Sequence, residues 1–253
     1  MYSDKQAAAL YNLLNPWGPS DDFYLALVMQ ATSVLDIGCG TGSLLRRAWQ
    51  ARHAGRLCGV DPDAASLDVA RRSTEIEWKL CAASSMAWDS EFELATMTGH
   101  AFQALLSDDE VRASLTAIHR ALVDDGRFAF ETRNPQARAW ESWNPTNAMD
   151  VIDPSGRQVR ISHQVESVVD GVVTFTETTS APGGGVLRAE RASLRFLDAG
   201  ALATILAEAG FEIEAQYGDW ERGRLTRESP EIVTIVRASS LRPRSPTTDH
   251  RAS

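Results

Sequence analysis

A glycine-rich turn between an apolar run and a helix-forming run constrains the fold of this sequence more than any other feature. The run Ser33–Ile37 is short, apolar and β-branched, and glycines follow it at positions 38, 40 and 42. Such a run predicts a buried parallel strand, and the residues at 43–53 predict a helix. Because glycine lacks a Cβ, the backbone can turn sharply there and a ligand can lie against it. The segment therefore predicts a ligand-binding strand–loop–helix unit.

Two aspartates distinguish this loop from most dinucleotide-binding loops. The glycine spacing is GxGxG rather than GxGxxG. Asp36 lies two residues before the first glycine, where a carboxylate suits an ammonium or cationic group better than a pyrophosphate. Asp61 ends the predicted second strand, where an acidic side chain can accept hydrogen bonds from both ribose hydroxyls of an adenosine. Together these residues predict an adenosine-containing ligand; a tight turn without a ligand is the alternative.

The remaining pattern predicts a parallel sheet followed by an antiparallel insertion. Helices are predicted near 3–14, 21–30, 63–72, 108–122 and 199–209, and strands at 57–61, 76–80, 92–97, 127–131, 211–216 and 232–236. Strands that alternate with helices indicate βαβ units. Between them, three runs of alternating hydrophobicity at 158–169, 172–179 and 186–196 predict an antiparallel meander of about three strands.

Composition excludes several classes of protein. The 253 residues carry 25 Lys+Arg against 34 Asp+Glu, a net charge of −9, which argues against a general binder of nucleic acid or anionic membranes. No apolar run reaches the roughly 18 residues of a membrane helix, and the first residues lack a secretory h-region. Cys39, Cys58 and Cys81 form no CxxC pair, so we expect reduced thiols, no metal site and a cytoplasmic protein.

Three motifs resemble those of class I S-adenosylmethionine-dependent methyltransferases in order and spacing: LDIGCGTG at 35–42, GVDPD at 59–63 and LVDDGRF at 122–128. The resemblance implies an α/β fold, a Rossmann-like seven-stranded, mostly parallel sheet with helices on both faces and a reversed final strand. With the inserted antiparallel β lid, it implies a cofactor-binding core at 1–145 and 198–238, a lid at 146–197 and a disordered tail at 239–253.

The same resemblance implies S-adenosyl-L-methionine as cofactor, bound across the carboxyl ends of the first four strands. Asp61 would take the ribose and Asp36 would lie near the methionine ammonium, with two aromatic residues of the N-terminal segment closing over it. Many members carry an acid after the third strand, but residues 80–85 read LCAASS, so adenine recognition falls to backbone groups and to Ser84 or Ser85. The expected cofactor contacts are Tyr11, Trp17, Asp36, Gly38, Cys39, Gly40, Asp61, Pro62, Ala83, Ser84, Met97 and Thr98.

Residues 95–103 and 130–135 resemble bacterial small-molecule methyltransferases, some of which carry a lid and act on amino sugars or other natural-product amines. His100 is the expected catalytic base or substrate orienter, with a structural histidine as the alternative. Of Glu131 and Arg133, we expect one to face the pocket and the other to pack away. The expected substrate contacts are His100, Phe102, Glu131, Arg133, Asn134, Trp140 and Trp143, although the tryptophans would serve equally as packing between lid and core.

The predicted function is transfer of a methyl group to a nitrogen or oxygen of a small molecule. One alternative is a nucleic-acid or protein methyltransferase, but the Asp/Asn-Pro-Pro-aromatic motif of amino-methylating nucleic-acid enzymes is replaced here by TMTG at 96–99. A nicotinamide-dependent oxidoreductase and a non-catalytic cofactor-binding partner protein are the others. We expect a small-molecule acceptor, no nucleic acid and no membrane partner; the sequence leaves homo-oligomerisation open.

Overall fold

The computed structural model describes residues 6, 10 and 13–239. The helices are α1 (Pro19–Val28), α2 (Ser43–Gln50), α3 (Ala64–Ala70), α4 (Asp108–Ala121) and α5 (Ala199–Glu208). The strands are β1 (Ser33–Ile37), β2 (Arg56–Asp61), β3 (Glu77–Leu80), β4 (Phe92–Met97), β5 (Leu122–Arg133), β6 (Met149–Ile152), β7 (Gln158–Val169), β8 (Val172–Ser180), β9 (Val186–Arg195), β10 (Phe211–Tyr217) and β11 (Glu231–Ala238). Tyr11, most of the predicted helix at 3–14, and the predicted tail after Ser239 lie outside the described residues.

The main sheet has seven strands in the order β10-β11-β5-β4-β1-β2-β3. Strands β1 to β5 pair in parallel, whereas β11 runs antiparallel to both β5 and β10. The predicted α/β fold with its reversed final strand is therefore confirmed. Because parallel strands end at the same edge of a sheet, the residues that follow β1, β2, β4 and β5 meet there.

Helices cover both faces of this sheet. On one face α4 buries Val111, Leu115 and Ile118, spaced at helical intervals, against the sheet. Ser107 caps this helix by accepting from the Glu110 amide, and the Glu110 carboxylate accepts in return from the Ser107 amide. On the other face α1 and α2 pack a second apolar layer against the same strands.

A second, antiparallel sheet, called the lid sheet below, consists of β6 to β9 in that order. It has four strands rather than the expected three. The sequence pattern missed β6 because this strand has only four residues, too few to show a clear alternation. The Asp-Gly turn that joins β7 to β8 is confirmed, since Asp170 and Gly171 adopt φ of 50° and 76°, as a type I′ turn requires.

The fifth parallel strand is longer than the sequence pattern suggested. Strand β5 begins at Leu122, which pairs with Phe92, and not at residue 127. Asp125 and Gly126, which predict a turn, lie within β5, where Asp125 adopts a φ of 61° and the register with β4 is irregular. Among the described residues, no helix combines the length and apolarity needed to cross a bilayer.

Candidate active site

The glycine loop after β1 is held in place by hydrogen bonds to its own neighbourhood. Gly38, Gly40 and Gly42 all adopt positive φ, between 53° and 77°, which explains why glycine stands at each position. The amides of Gly38 and Cys39 donate to the Val60 carbonyl oxygen at 2.8 and 3.0 Å. A Cβ at Gly40 would meet no atom within 4 Å, so this glycine borders open space.

Asp61 joins this loop to the end of β2. One carboxylate oxygen accepts from the Gly40 amide at 2.7 Å, and the other accepts from the Asp63 amide at 2.8 Å. Burial raises the pKa of Asp61, while these two amides oppose the rise. The carboxylate retains lone pairs beyond those two bonds, so it can still accept from a ligand hydroxyl.

Asp36 lies deeper, at the end of β1, and is only 1% exposed. Its Oδ1 accepts a hydrogen bond of 2.8 Å from the Thr96 hydroxyl on β4. Burial raises the pKa of this carboxyl from 3.8 to about 7, and the Thr96 bond opposes part of that rise. Asp36 is thus a buried acid that a nearby cation would help to ionise.

The chemistry of this loop fits S-adenosylmethionine better than a dinucleotide. A pyrophosphate needs amide donors that point at it from the loop and the helix N-terminus. Here the amides of Gly38, Cys39 and Gly42 bond to backbone carbonyls, and that of Gly40 bonds to Asp61. Asp36 and Asp61 add carboxylates beside this loop, which accept hydrogen bonds and attract positive charge. They match ribose hydroxyls, an ammonium group and a sulfonium.

A cavity of about 1000 Å³ separates the carboxyl edge of the main sheet from the lid sheet. The core side of the cavity includes Gly38, Cys39, Gly40, Thr41, Ser43, Asp63, Ser66, Thr98, Gly99, His100, Glu131, Arg133 and Glu231. The segment between β5 and the lid sheet, and the lid sheet itself, contribute Trp143, Met149, Ile161, His163, Phe175, Glu177, Thr179, Arg188, Glu190 and Leu194. The glycine loop and His100 therefore open into one roofed space.

His100 is held at two points by two carboxylates. Its backbone amide donates to Glu131 Oε1 at 2.7 Å, and its ring Nε2 lies 3.0 and 3.1 Å from the carboxylate oxygens of Glu231. The second oxygen of Glu131 accepts from the Tyr24 hydroxyl. Glu131 and Tyr24 are each 1% exposed. This arrangement places an imidazole, two carboxylates and a phenol at one end of the cavity.

Burial dominates the electrostatics of this cluster. It raises the pKa of Glu131, and the nearby His100 and the Tyr24 hydroxyl bond oppose that rise. Burial and the Glu131 carboxylate together hold the pKa of Tyr24 well above its ordinary value, so Tyr24 stays a neutral donor. The cluster consequently favours positive charge in the adjoining cavity.

Glu131 and Arg133 both line the cavity, so the expectation that one of them packs away is wrong. Residues two apart on a strand lie on the same face, and β5 continues through both positions. The Arg133 guanidinium lies 5.3 Å from the ring of Trp143 and donates to the Gln103 side chain. Trp143 also lines the cavity.

Three of the expected substrate contacts lie elsewhere. Phe102 is 2% exposed and stacks on Phe130, so it belongs to the core. Asn134 is buried, and its side-chain amide donates to three backbone carbonyls of the 226–229 loop, where it fixes the approach to β11. Trp140 packs edge-on against Phe196 at 4.6 Å and joins the lid sheet to the core.

Several expected cofactor contacts also lie outside the cavity lining. Trp17 donates from Nε1 to Asp22, and its ring lies 5.3 Å from the Arg47 guanidinium. Trp17 is not among the residues that line the cavity. Ala83 and Met97 are buried in the core. Pro62 and Ser84 are exposed at the carboxyl ends of β2 and β3. Gly38, Cys39, Gly40 and Thr98 line the cavity, whereas Asp36 and Asp61 are buried and are not among the lining residues.

Sequence reasoning missed Tyr24, Glu231 and the polar residues of the lid sheet. The lid-sheet residues could be predicted from the sequence, because residues two apart on a strand share a face. The lining residues follow this spacing at 161 and 163, at 175, 177 and 179, and at 188 and 190. Tyr24 and Glu231 carried no such signal, since their role depends on how α1 and β11 meet β5. Within the described part of the chain, no three His, Cys, Asp or Glu side chains are grouped so as to hold a metal ion.

The seven-stranded sheet, the glycine loop and the aspartates near the ends of β1 and β2 agree with the resemblance to S-adenosylmethionine-dependent methyltransferases. In agreement, residues 34–126 match the family described as a methyltransferase domain. A curated protein from Geobacillus sp. (strain WCH70), whose name carries a provisional methyltransferase assignment, is 29% identical over 109 residues. That match covers 41% of this chain and 43% of the relative, so the chain spans less than half of that protein.

Solved structures share the fold over nearly the whole chain. The methyltransferase CcbJ from Streptomyces caelestis is 18% identical, with a TM-score of 0.73 over 94% of this chain and 100% of its own. The amino pentose methyltransferase CalS10 from Micromonospora echinaspora, solved with S-adenosylmethionine bound, is 19% identical, with a TM-score of 0.68 over 94% and 98%. The chain therefore carries a methyltransferase domain at residues 34–126 within an S-adenosylmethionine-dependent methyltransferase fold, which confirms the resemblance of its motifs.

Proposed function

We propose that this protein transfers a methyl group from S-adenosylmethionine to an amine nitrogen of a small polar molecule, such as an amino sugar. The observation that carries this proposal is the single roofed cavity. It joins the glycine loop at one end to the His100, Glu131 and Glu231 cluster at the other. Its volume lies at the upper end of the range for small-molecule pockets, which leaves room for a cofactor and an acceptor.

At the cofactor end, the backbone of Gly38 to Gly40 would lie against the ligand and Asp61 would accept from its ribose hydroxyls. Asp36, behind the loop, would favour a positive charge at the methionine end. When bound, S-adenosylmethionine supplies a methyl group made electrophilic by the sulfonium. The residues of this chain need only hold a nucleophile close to it and exclude water, since orientation alone supplies a large part of such a rate enhancement.

The charges along the cavity favour a cationic acceptor. Six acidic side chains and two arginines line the cavity. The acids are Asp21, Asp63, Glu131, Glu177, Glu190 and Glu231, and the arginines are Arg133 and Arg188. A low-dielectric cavity with this excess of carboxylates attracts an ammonium and disfavours a phosphate. The same excess supports a small amine over the nucleic-acid substrates of related enzymes, as does the roof formed by the lid sheet.

An amine acceptor must be neutral before its nitrogen can attack. An ammonium that enters the acidic cavity therefore has to transfer a proton to a base within hydrogen-bond reach. His100 is the candidate, because it lines the cavity and is held by the two carboxylates described above. The amino pentose methyltransferase among the solved relatives supports an amine on a sugar as the acceptor class.

A paired acceptor panel tests this proposal. Amino sugars and sugars that carry a hydroxyl at the same position are incubated with protein and S-adenosylmethionine, and the release of S-adenosylhomocysteine is measured. We expect release with some amino sugars and none with their hydroxyl counterparts. Release only with the hydroxyl members, or with RNA or protein alone, would contradict the proposal.

His100→Gln provides the residue-level test of the same reaction. We expect turnover to fall by about 100-fold or more, the ordinary contribution of a general base. The matched control is His119→Gln, because His119 packs against Phe211 away from the cavity. Equal turnover in the two variants would remove His100 from the mechanism.

A further inference from the structure

We propose that Glu231 is a positioning residue that holds His100 in the tautomer with the proton on Nε2 and the lone pair on Nδ1. The lone pair on Nδ1 would then be the one that receives the proton of the acceptor amine. The catalytic part of this inference rests on the proposed function, whereas the tautomer can be tested without any acceptor.

The first observation is the position of Glu231. It is the first residue of β11 and pairs with Arg133 of β5, which brings its carboxylate beside the cavity. The side chain is 15% exposed, and both of its oxygens lie within 3.1 Å of His100 Nε2. An ionised carboxylate only accepts hydrogen bonds, so Nε2 must be the donor and must carry a proton.

The second observation is the backbone of His100. It adopts a φ of 61°, and Gly99 before it adopts 65°. A residue other than glycine is strained in this region and persists there where its surroundings hold it. Here Glu131 accepts from the His100 amide, and Tyr24 in turn donates to Glu131. The ring and the backbone are therefore fixed by different carboxylates from two neighbouring strands.

The chemistry that follows conserves every proton. The N–H bond of the acceptor ammonium breaks, an Nδ1–H bond forms on His100, and the acceptor is left as a neutral amine. The imidazolium charge then faces the Glu231 carboxylate, which stabilises it. Without Glu231, either ring nitrogen could carry the proton. In a fraction of the protein molecules the lone pair would then be on Nε2 and not on Nδ1.

Histidine-labelled full-length protein provides the test, with no cofactor or acceptor present. Long-range ¹H–¹⁵N spectra distinguish the two neutral tautomers, and His100→Gln identifies the His100 signals. We expect the Nε2–H tautomer alone in the unmodified protein at about pH 8.5, where a free imidazole is neutral. In Glu231→Gln, which keeps the size of the side chain, we expect a mixture of both tautomers.

Glu177→Gln is the matched control for this spectrum. His163 Nε2 lies 3.0 Å from one carboxylate oxygen of Glu177 in the lid sheet, which makes a second histidine–glutamate pair. We expect Glu177→Gln to move the His163 signals and to leave those of His100 unchanged. An Nδ1–H tautomer in the unmodified protein, or an identical His100 spectrum in Glu231→Gln, would overturn the proposal.

Turnover of an amino sugar found in the paired panel tests the catalytic consequence. We expect Glu231→Gln to lower kcat by about tenfold or more and to leave the KM for S-adenosylmethionine unchanged, with partial recovery in Glu231→Asp. In the His100→Gln background the same change should have little further effect, because Glu231 acts through His100. An equal loss in both backgrounds would overturn the positioning role, even if the protein is a methyltransferase.

Discussion

Buried acids that keep specific hydrogen-bond partners dominate the site at the scale of single residues. Asp36, Asp61 and Glu131 are all buried at the carboxyl edge of the sheet, yet each accepts at least one hydrogen bond. Burial disfavours their ionised forms, and a cationic ligand would restore them. The charge of these three side chains would therefore depend on the ligand that is bound.

Asp61→Asn tests the ribose contact. We expect the affinity for S-adenosylhomocysteine to fall by about 10- to 100-fold, because hydrogen bonds to a charged group contribute about 1.5–3 kcal/mol each. Isothermal titration calorimetry gives the dissociation constants. The control is Asp68→Asn, an exposed acid on the neighbouring helix α3 whose side chain is 77% exposed. Indistinguishable constants in the two variants would show that Asp61 does not hold the ligand.

Asp36→Asn tests the buried acid through the pH dependence of stability. The folded-state pKa of about 7 exceeds the ordinary value of 3.8, so the folded protein keeps a proton that the unfolded chain releases. The stabilising contribution is complete below about pH 4 and is lost as pH rises through about 7, with a slope of up to about 1.4 kcal/mol per pH unit. The amide that replaces the carboxyl in Asp36→Asn does not titrate, so the variant does not lose stability in this way as the pH rises.

Urea unfolding at about pH 5 and about pH 7.5 measures the effect. We expect Asp36→Asn to gain stability relative to the unmodified protein as the pH rises between these values. All other titrating groups are common to both proteins, so they cancel in the difference. A difference that does not change with pH would mean that Asp36 titrates in the folded state as it does in the unfolded chain.

At the scale of elements, Gln103 provides a polar attachment of the lid sheet to the core. Gln103, fully buried after β4, donates from its side-chain amide to the Arg195 carbonyl at the end of β9, 3.0 Å away. Its carbonyl oxygen accepts from the Arg133 amide and guanidinium on β5. One side chain thus ties the last lid strand to the strand that carries Glu131.

Gln103→Leu should loosen this attachment. The leucine keeps the approximate volume but leaves the Arg195 carbonyl and the Arg133 amide without their partner, and each such loss costs about 1–3 kcal/mol. We expect the free energy of unfolding to fall by about 2–4 kcal/mol and the KM for the acceptor to rise, while S-adenosylhomocysteine affinity stays close to normal.

The matched control for this change is Gln216→Leu. Gln216 makes one side-chain bond, of 3.3 Å, to Thr234 between β10 and β11, away from the lid sheet. We expect this variant to lose less than about 1 kcal/mol. If both variants lose the same stability in urea and show the same acceptor KM, Gln103 does not fasten the lid sheet.

Local patterns predicted most elements but not the contacts between them. The run 33–37 and its glycines predict β1 and the loop, because a short apolar strand and a sharp turn are both local properties. Strand β6 escaped prediction because four residues do not establish a period. Phe102 looked like a substrate contact from its place after β4, but its stacking on Phe130 depends on tertiary packing.

The same limit applies to the site. Asp36 and Asp61 lie near the ends of predicted strands and His100 follows one, so their meeting at one sheet edge could be anticipated. The position of Glu231 could not be anticipated, because Glu231 begins a strand that reaches the site through the antiparallel pairing of β11 with β5. Local sequence patterns therefore indicate the glycine-loop side of the cavity more completely than the lid-sheet side.

At the scale of the whole molecule, the strand order of the main sheet and the position of the lid sheet together form the cavity. The order of the seven strands places the ends of β1, β4 and β5 side by side, and the lid sheet covers them. Part of the net charge of −9 is concentrated in the cavity, because acidic side chains outnumber arginines along its lining. A covered acidic cavity favours a small cation over an anion and limits the access of water.

The central claim is that the loop after β1 holds an adenosine ligand through carboxylates and not through phosphate contacts. Calorimetric titration of the full-length protein with S-adenosylhomocysteine and, separately, with NADH tests it most directly. We expect binding of one S-adenosylhomocysteine per chain and no heat of binding for NADH. Saturable binding of NADH without binding of S-adenosylhomocysteine would contradict it.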